Sequence, residues 1–550
     1  MDEYRGQYVV VGPPGTGKTT RIARSVERCL ATGRRPVVLS LTRSAASEAA
    51  GRVSLPQDSV GTMHSFGWRL QERPSVVESD DVSGSWNEAH PEMALSPNLF
   101  GSLKSSEQDL LNVPQHDDDY LPGNAAYAKS QLYRHQMLPP AAWPDVTAYR
   151  FHTAWEAWKH ETGLIDFTDM IDLAPDEPPE GANVLMADEA QDLSRLENHK
   201  LDRWAEVAGC AYRIGDPYQA LYTWRGADPR RLSHPGNEVP ESHRDVLRQS
   251  YRLSRAVHAT ATSWIRGIGD YVPFDFAPTP MTGRSSYLDA SWVNADAVAQ
   301  LAAEKASEQK RVMILTTCGY MLSHTLRCLK AMVTPFANPR RVYQGNWNPL
   351  GGRGTTMSRR VIALTAARRN GSGRWSHVDL YRWTAVLRAD SALVRGAKSE
   401  IKKMADDNPS GSVSLYDFGR WIVPAKLAEF QVAYAGGDEL LLGWWMKNLI
   451  NVQTMRRAEY PAAIYLKHGL QGLTEPPNVW VGTCHSLKGA EADVVILFPD
   501  LSPKGHEAFS RGPGDEGHDS VIRTIYVGMT RARDELYLCR PASRKAVAGW

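Results

Sequence analysis

Apolar positions along the chain fall into short unbroken runs separated by amphipathic stretches. Tyr8–Val11 and Pro36–Leu41 are two such runs, and the segment from Thr19 to about Leu30 between them has helical spacing, with Gly33 as its stop. Buried strands alternating with helices predict a parallel sheet covered on both faces. The pattern lapses after about Leu70. Residues 71–145 are rich in Ser, Pro, Asn and Asp and lack long apolar periodicity, which predicts an insertion with much loop. Helical spacing returns at Thr153–His160, and strand-like runs return at Asn183–Ala187 and Ala211–Ile214. A second, less continuous block begins at Val312–Thr316, with a helix expected through Met332, and resumes at Val479–Thr483, Val494–Phe498 and Leu536–Cys539. A further insertion lies between Pro335 and about Leu470. The chain therefore reads as two α/β cores, each interrupted once.

Length and composition narrow the class without naming it. The 550 residues allow roughly three or four domains. With 42% hydrophobic and 23% charged residues the chain has an ordinary globular composition. No apolar run approaches the ~18 residues that would span a bilayer, and the opening MDEYRGQ is charged and polar, unlike a secretory signal. Six scattered cysteines include no C-x-x-C pair, so neither a zinc site nor an iron–sulfur cluster is expected, and a reducing, cytoplasmic setting fits, in a bacterium or in a phage host. The net charge of +1 hides an asymmetry. Between Arg340 and Met404 there are fourteen Lys or Arg against three Asp or Glu, while Asp117, Asp118 and Asp119 form a small acidic cluster. The basic stretch interleaves with aromatics at Arg374-Trp375 and Tyr381-Arg382-Trp383, following Arg368-Arg369. It is read either as a nucleic-acid face or as a solvated arginine-rich surface.

The sharpest chemical signal is Gly12-Pro13-Pro14-Gly15-Thr16-Gly17-Lys18-Thr19, followed by Thr20. It matches G-x-x-x-x-G-K-[ST] between an expected strand and an expected helix. Glycines let backbone N–H groups turn toward phosphate oxygens, and the helix N-terminus adds partial positive charge. Lys18 is expected at the β/γ-phosphates, with the Thr19 hydroxyl on Mg²⁺. A second piece is the apolar run Val184–Ala187 ending in Asp188-Glu189. Asp188 suits the Mg²⁺ shell, and Glu189 suits orientation or deprotonation of an attacking water. An apolar run ending in two carboxylates is weak alone and strong beside a P-loop.

These residues, with others in the same order, resemble the UvrD/Rep/PcrA branch of superfamily-one DNA helicases. Asp188-Glu189-Ala190-Gln191-Asp192 is similar to motif II. The fourteen residues from Ile214 to Ala227 resemble motif III and are the most family-specific segment. Leu41-Thr42-Arg43-Ser44-Ala45-Ala46 resembles motif Ia, Gly61–Phe66 the T-x-H segment after it, and Leu164–Asp169 a segment shortly before motif II. Gln249–Arg252, Thr483–Glu491 and Tyr526–Ala532 resemble motifs IV, V and VI. The resemblance implies an α/β fold of two RecA-like parallel-sheet P-loop NTPase cores, each interrupted by an inserted, mainly helical subdomain. The expected boundaries are 1–72, 151–248 for the first core with its insertion at 73–150, and 249–334, 471–550 for the second with its basic insertion at 335–470.

It further implies an ATP- and Mg²⁺-dependent helicase or translocase moving 3′→5′ on single-stranded DNA and at single-strand/duplex junctions, with replication or repair proteins as partners and no membrane. By matching position, Gln219 would contact the γ-phosphate or the water, Arg252 and Arg531 would act as arginine fingers from the second core, and Glu491 would hold the ribose. Trp224 would stack on a base, with Tyr222 a weaker candidate. Thr62, His64, Thr483 and His485 would bond phosphates. For Trp224 a place in the core of a turn is the competing reading, and for the arginines an ordinary surface position.

The chain departs from the family in three places. The upstream adenine-reading Gln has no equivalent among the eleven residues before Gly12, Gln7 lying too near the strand, so looser nucleotide selectivity is expected. Leu41, Arg43 and Ser44 replace an aromatic, an Asn and a Lys of motif Ia, so one stacking contact is expected to be missing. Eighteen residues follow Ala532, so no nuclease module is expected. Rival readings are another P-loop ATPase, such as a clamp-loader or nucleotide kinase, a DNA-binding scaffold with a relict nucleotide site, and a translocase that remodels protein–DNA complexes without extensive unwinding.

Overall fold

The computed structural model describes residues 5–40, 55–80, 83–96, 121–342, 344–352, 354–389 and 391–547. Motif Ia at Leu41–Ala46 and the Asp117–Asp119 cluster lie outside them. The chain divides into two units, Met1–Thr282 with Glu507–Thr530, and Gly283–His506 with Arg531–Trp550. Among the described residues, no helix is long and apolar enough to cross a membrane.

The first unit is built on a six-stranded sheet of β1 (Gly6–Val11), β2 (Pro36–Leu39), β3 (Val60–Gly61), β4 (Val184–Ala187), β5 (Cys210–Gly215) and β6 (Arg244–Val246), in the order β3-β2-β4-β5-β1-β6. Every pairing in it is parallel. Alternation within each run decides which face a residue serves. Val9, Val11, Val37, Leu39 and Leu185 join one buried cluster with Leu201 and Trp204, while Val10, Val38, Met186 and Ile214 join another with Ile22, Val26 and Cys29 of α1 (Lys18–Ala31). Both faces are thus dry, and phosphate-binding loops can emerge only at the strand ends.

The first insertion is more helical than its loop-rich composition predicts. Helices Val77–Asp80, Ser83–Ala89 and α2 (Pro122–His135) join α3 (Val146–Thr162), packing around Trp86, Tyr127, Phe151, Trp155 and Trp158. Asp145 caps α3 by accepting from Ala148 N at 3.0 Å, so this helix begins well before Thr153. A few large aromatics supply the buried area that composition alone does not reveal.

The segment after residue 249, expected to open the second core, falls in the first of the two units, which runs to Thr282. Ser250 Oγ donates to Pro14 O at 2.8 Å and Tyr251 N to Gly15 O at 2.8 Å, which staples this segment to the P-loop of the first unit. The expected C-terminal core at 471–550 is divided as well. Within the first unit, Trp264 Nε1 donates to Ile522 O at 3.0 Å and Gly269 N to Asp519, so Glu507–Thr530 belongs there.

The second unit holds β7 (Arg284–Leu288), β8 (Val312–Thr316), β9 (Phe336–Ala337), β12 (Val479–Thr483), β13 (Ala492–Leu497) and β14 (Ala532–Cys539), parallel in the order β7-β14-β13-β8-β12-β9. Its insertion is helical apart from a two-stranded ribbon of β10 (Arg374–Ser376) and β11 (Ser412–Ser414). Trp375, Trp383, Phe418, Phe430 and Trp445 are fully buried in this subdomain's own core. The tryptophans of the basic stretch are therefore packing residues and not a stacking surface. Its arginines are largely engaged. Arg368 pairs with Asp438 at 2.8 Å, Arg374 donates to Ser412, and Arg388 donates to Leu449 O at 2.7 Å.

Candidate active site

The P-loop leaves β1 at Val11, opposite Gly215 of β5, and enters α1 through Gly17. Gly15 and Gly17 both have positive φ, 72° and 82°, which lets successive N–H groups face one concavity. A Cβ at Gly15 would sit 2.3 Å from Arg252 Cβ, so the loop is fitted against motif IV as well as shaped for phosphate. Pro13 O accepts from Thr16 Oγ1 at 2.8 Å and from Thr16 N at 3.2 Å, closing the loop on itself. Lys18 Nζ donates to Gly12 O at 3.0 Å. Gly17 gives α1 no side-chain cap and its first turn holds no acidic residue, so the helix N-terminus presents its amides to an anion. Thr19 is half-buried and Thr20 exposed on that turn.

Asp188 follows β4, with its N–H on Leu39 O at 2.8 Å and its Oδ1 accepting from Glu189 N at 2.9 Å. Glu189 has φ 51°, a left-handed conformation that a non-glycine residue holds only when its surroundings impose it. Gln191 is part of that surround. Its side-chain amide donates to the Glu189 carboxylate, and its Oε1 accepts from Asp216 N at 3.0 Å. A Cβ at position 215 would lie 2.3 Å from that Oε1, which requires Gly215. The Asp216 carboxylate in turn accepts from Gln219 Nε2 at 2.8 Å and Tyr218 N at 3.0 Å. Burial raises the Asp216 carboxyl above its ordinary range, and the Lys18 ammonium pulls it back, so these charges act on one another. The expected base Glu189 and the expected phosphate contact Gln219 are thus joined through Gln191 and Asp216, two residues to which the motif reading gave no role. All the donors expected for a magnesium ion, the Thr19 hydroxyl and the Asp188 carboxylate, are oxygens, as a hard cation requires.

Arg252 is half-buried within the first unit beside Gly15. The resemblance put it in the second core; it falls in the first unit, where the Ser250 and Tyr251 bonds fasten its loop to the P-loop. Arg531 is 2% exposed and belongs to the second unit, where its Nη1 donates to Ala490 O at 3.2 Å. A surface position is excluded for it. Glu491 in the same unit lies 3.6 Å from Arg533. Tyr251 has a ring 72% exposed beside an open groove of about 610 Å³, lined also by Gln249, Arg255 and Pro278. That is a surface on which a nucleobase can stack, and sequence reading did not single it out. Gln7 bonds Asp202 and Arg213, as its place on β1 dictates.

The expected strand-binding residues separate by burial. Trp224 is half-buried, its ring 6.3 Å from that of Tyr222, and it packs on a cluster of Leu221, Tyr222, Ala227 and Val527. Tyr222 is buried in that cluster and offers no ring face to a base. Thr62 caps helix Met63–Leu70 by accepting from Ser65 N at 3.1 Å. Thr483 Oγ1 accepts from Ser486 N at 3.1 Å in an equivalent local turn, and His485 is half-buried beside it. His64 lines a cavity of about 20 Å³, room for roughly one water, with Gln131, His135, Thr168 and Arg225.

His135 is buried in the wall of that cavity, its Nδ1 3.0 Å from Ser194 Oγ. Burial first, then the Arg225 guanidinium, push its imidazole down to about 3. Below an unfolded value of about 6.5 the unfolded chain takes a proton that the folded one refuses. Stability from the neutral ring is therefore complete above pH 6.5 and lost as pH falls toward 3. Unfolding of the full chain by urea at pH 7.5 and pH 5 should show this loss, and His135→Asn should flatten it. Equal pH slopes in the two proteins would remove His135 as its source.

A P-loop at the end of the interior strand β1, a strand-end carboxylate pair, and the Asp216–Gln219 turn tied to that pair have the form of a P-loop nucleotide site. Comparison with known proteins narrows the class. Residues 1–240 match the UvrD/REP helicase N-terminal domain. The chain is 23% identical over 588 residues to the ATP-dependent DNA helicase UvrD2 of Mycobacterium tuberculosis, covering 98% of this chain and 77% of that protein. It is 23% identical over 291 residues to the ATP-dependent DNA helicase PcrA of Leuconostoc citreum, and 24% over 294 residues to DNA helicase II of Escherichia coli. Those two matches cover 49% and 48% of this chain and 38% of each relative, so the chain matches well under half the length of either. Over residues 1–240 the chain is thus similar to the N-terminal domain of the UvrD/REP helicases.

Proposed function

We propose that this chain hydrolyses ATP at the P-loop and uses the cycle to move 3′→5′ along single-stranded DNA, opening duplex ahead of it. The observation that carries this reading is the hydrogen-bonded run Glu189–Gln191–Asp216–Gln219, because it joins the hydrolytic carboxylate to the loop that bears Trp224. Lys18 and the α1 amides bind the β- and γ-phosphates. Thr19 and Asp188 would hold a magnesium ion, which would neutralise phosphate charge there. Glu189, aimed by the Gln191 amide, takes the proton of the attacking water, and Gln219 orients that water or the γ-phosphate. Arg252 and Arg531 act as arginine fingers on the charge spread over the phosphoryl oxygens, and Glu491 holds the ribose. Trp224 stacks on a base without regard to sequence, worth ~1–3 kcal/mol. Thr483 and His485 contact the backbone of the strand, while the buried Thr62 and His64 hold the segment after motif Ia in place.

The test is an unwinding assay on duplexes with 3′ or 5′ single-stranded tails, in DNA and in RNA, with ATP. Strand separation confined to the 3′-tailed DNA is expected. Unwinding from 5′ tails alone would reverse the polarity, and stimulation by RNA alone would replace the substrate. In the same assay Trp224→Ala should keep basal ATPase and lose DNA-stimulated turnover and unwinding by ~10-fold, the scale of one lost stack. Unchanged unwinding would remove Trp224 from the track.

A further inference from the structure

Two helices of the second unit, Asp296–Ser307 and Ser323–Ala331, pack side by side. His324 and Cys328 stand four residues apart on the second helix and therefore share a face. Asp296 is the first residue of the other. Cys328 Sγ lies 3.5 Å from Asp296 Oδ1 and 3.3 Å from His324 Nδ1, and the three donor atoms fall within 4.8 Å of one another. Thiolate, imidazole and carboxylate are the zinc donor set. Bonds of about 2.0–2.3 Å in tetrahedral geometry hold such ligands roughly 3.3–3.6 Å apart, so Cys328 already stands at ligand spacing from each of the other two.

The tautomer of His324 is also set. Ala295 N donates to His324 Nδ1 at 3.2 Å, so Nδ1 carries no proton and its lone pair is held by that N–H, which a metal would displace. Exposure is graded across the three, with Cys328 buried, His324 half-buried and Asp296 exposed. A cation could enter from the Asp296 side and keep a water as fourth ligand. The other carboxylate cluster, Glu156, Asp166 and Asp169, is different in kind, because Lys159 and Arg134 already fill it.

We propose that Asp296, His324 and Cys328 form a binding site for one Zn²⁺, which clamps the two helices together. On binding, the Cys328 S–H bond breaks, its proton leaves to solvent and a Zn–S bond forms. The metal takes the Nδ1 lone pair that the Ala295 N–H now occupies. The site belongs to the second unit alone and does not depend on the nucleotide chemistry proposed above.

The test uses the full chain, stripped with EDTA, held reduced and supplied with excess Mg²⁺ so that oxygen-only sites are occupied. Titration with Co²⁺ should give one equivalent bound with a near-ultraviolet thiolate-to-metal charge-transfer band that Zn²⁺ then bleaches, and Zn²⁺ should raise the Tm. Cys328→Ala and His324→Gln should each abolish the band, and Asp296→Asn should weaken binding. Cys318→Ala, altering the half-buried cysteine nearby in sequence, should leave the band intact. Absence of the band in the unmodified chain, or its persistence in both Cys328→Ala and His324→Gln, would overturn the proposal. Should Cys328→Ala fail to fold, His324→Gln decides alone.

Discussion

Replacing Glu189 with Gln should lower ATP turnover by roughly 10²–10⁴-fold, the range typical of a lost general base, while nucleotide binding persists. The amide keeps the shape of the carboxylate and its place beside Gln191, but it cannot accept a proton from water. The Lys18 contacts and the α1 N-terminus are untouched, so affinity for ATP should change little. Gln191 should then separate positioning from chemistry. Gln191→Leu leaves the carboxylate in place but removes the donor on Glu189 and the acceptor for Asp216 N. Its single-turnover hydrolysis should fall less than that of Glu189→Gln, and the loss should grow in the presence of single-stranded DNA if the bridge couples the two sites. Fluorescent-nucleotide binding and single-turnover hydrolysis measure the two effects separately. Full turnover in Glu189→Gln would take the proton-acceptor role away from that residue.

How far the sequence could carry these conclusions depended on whether each signal was local. Strands buried on both faces are local signals, and Val9–Val11, Val184–Ala187 and Val312–Thr316 all lie in parallel sheets. The P-loop is local too, because its glycines and lysine act within eight residues of one another. Strands such as Arg284–Leu288 were invisible. An edge strand of Arg, Ser, Ser, Tyr and Leu is polar on most of its length and earns its pairing from β14. The first insertion misled by composition, since a handful of tryptophans outweighs a surplus of Ser and Pro. The second misled in the opposite direction. Interleaved Arg and Trp suggested a binding face, yet Trp375 and Trp383 point into a core that also takes Phe418 and Phe430, far along the chain. Gln191 and Asp216 lay inside recognised motifs, but their roles rest on a bond between segments twenty-five residues apart. The Asp296, His324 and Cys328 cluster lacked any pair spacing that a search for C-x-x-C would find.

Removing the carboxylate of Asp166 should cost about 3 kcal/mol or more of stability, at the lower end of the ~3–5 kcal/mol for one partner lost from a buried ion pair. Asp166 is fully buried and accepts from Arg134 at 3.0 Å, Lys159 at 3.0 Å, Trp155 Nε1 at 3.0 Å and Gln131 at 3.2 Å. Burial alone would raise its carboxyl, but the two cations hold it well below the usual range, so it stays ionised. In Asp166→Ala, Arg134 and Lys159 remain buried and share Asp169, which also bonds Asp166 N at 2.9 Å and is itself crowded by charge. Asp169 and the half-exposed Glu156 soften the loss, which favours the lower figure. The damage should centre on the packing of α2 and α3 with the 164–169 segment, since these supply the partners. Thermal unfolding and amide exchange at Trp155 and Gln131 would register it. Adding Lys159→Met to Asp166→Asn should recover part of the loss, because it removes a cation left without its partner. If the double variant is no more stable than Asp166→Asn, the cluster is held by packing and its charges are incidental.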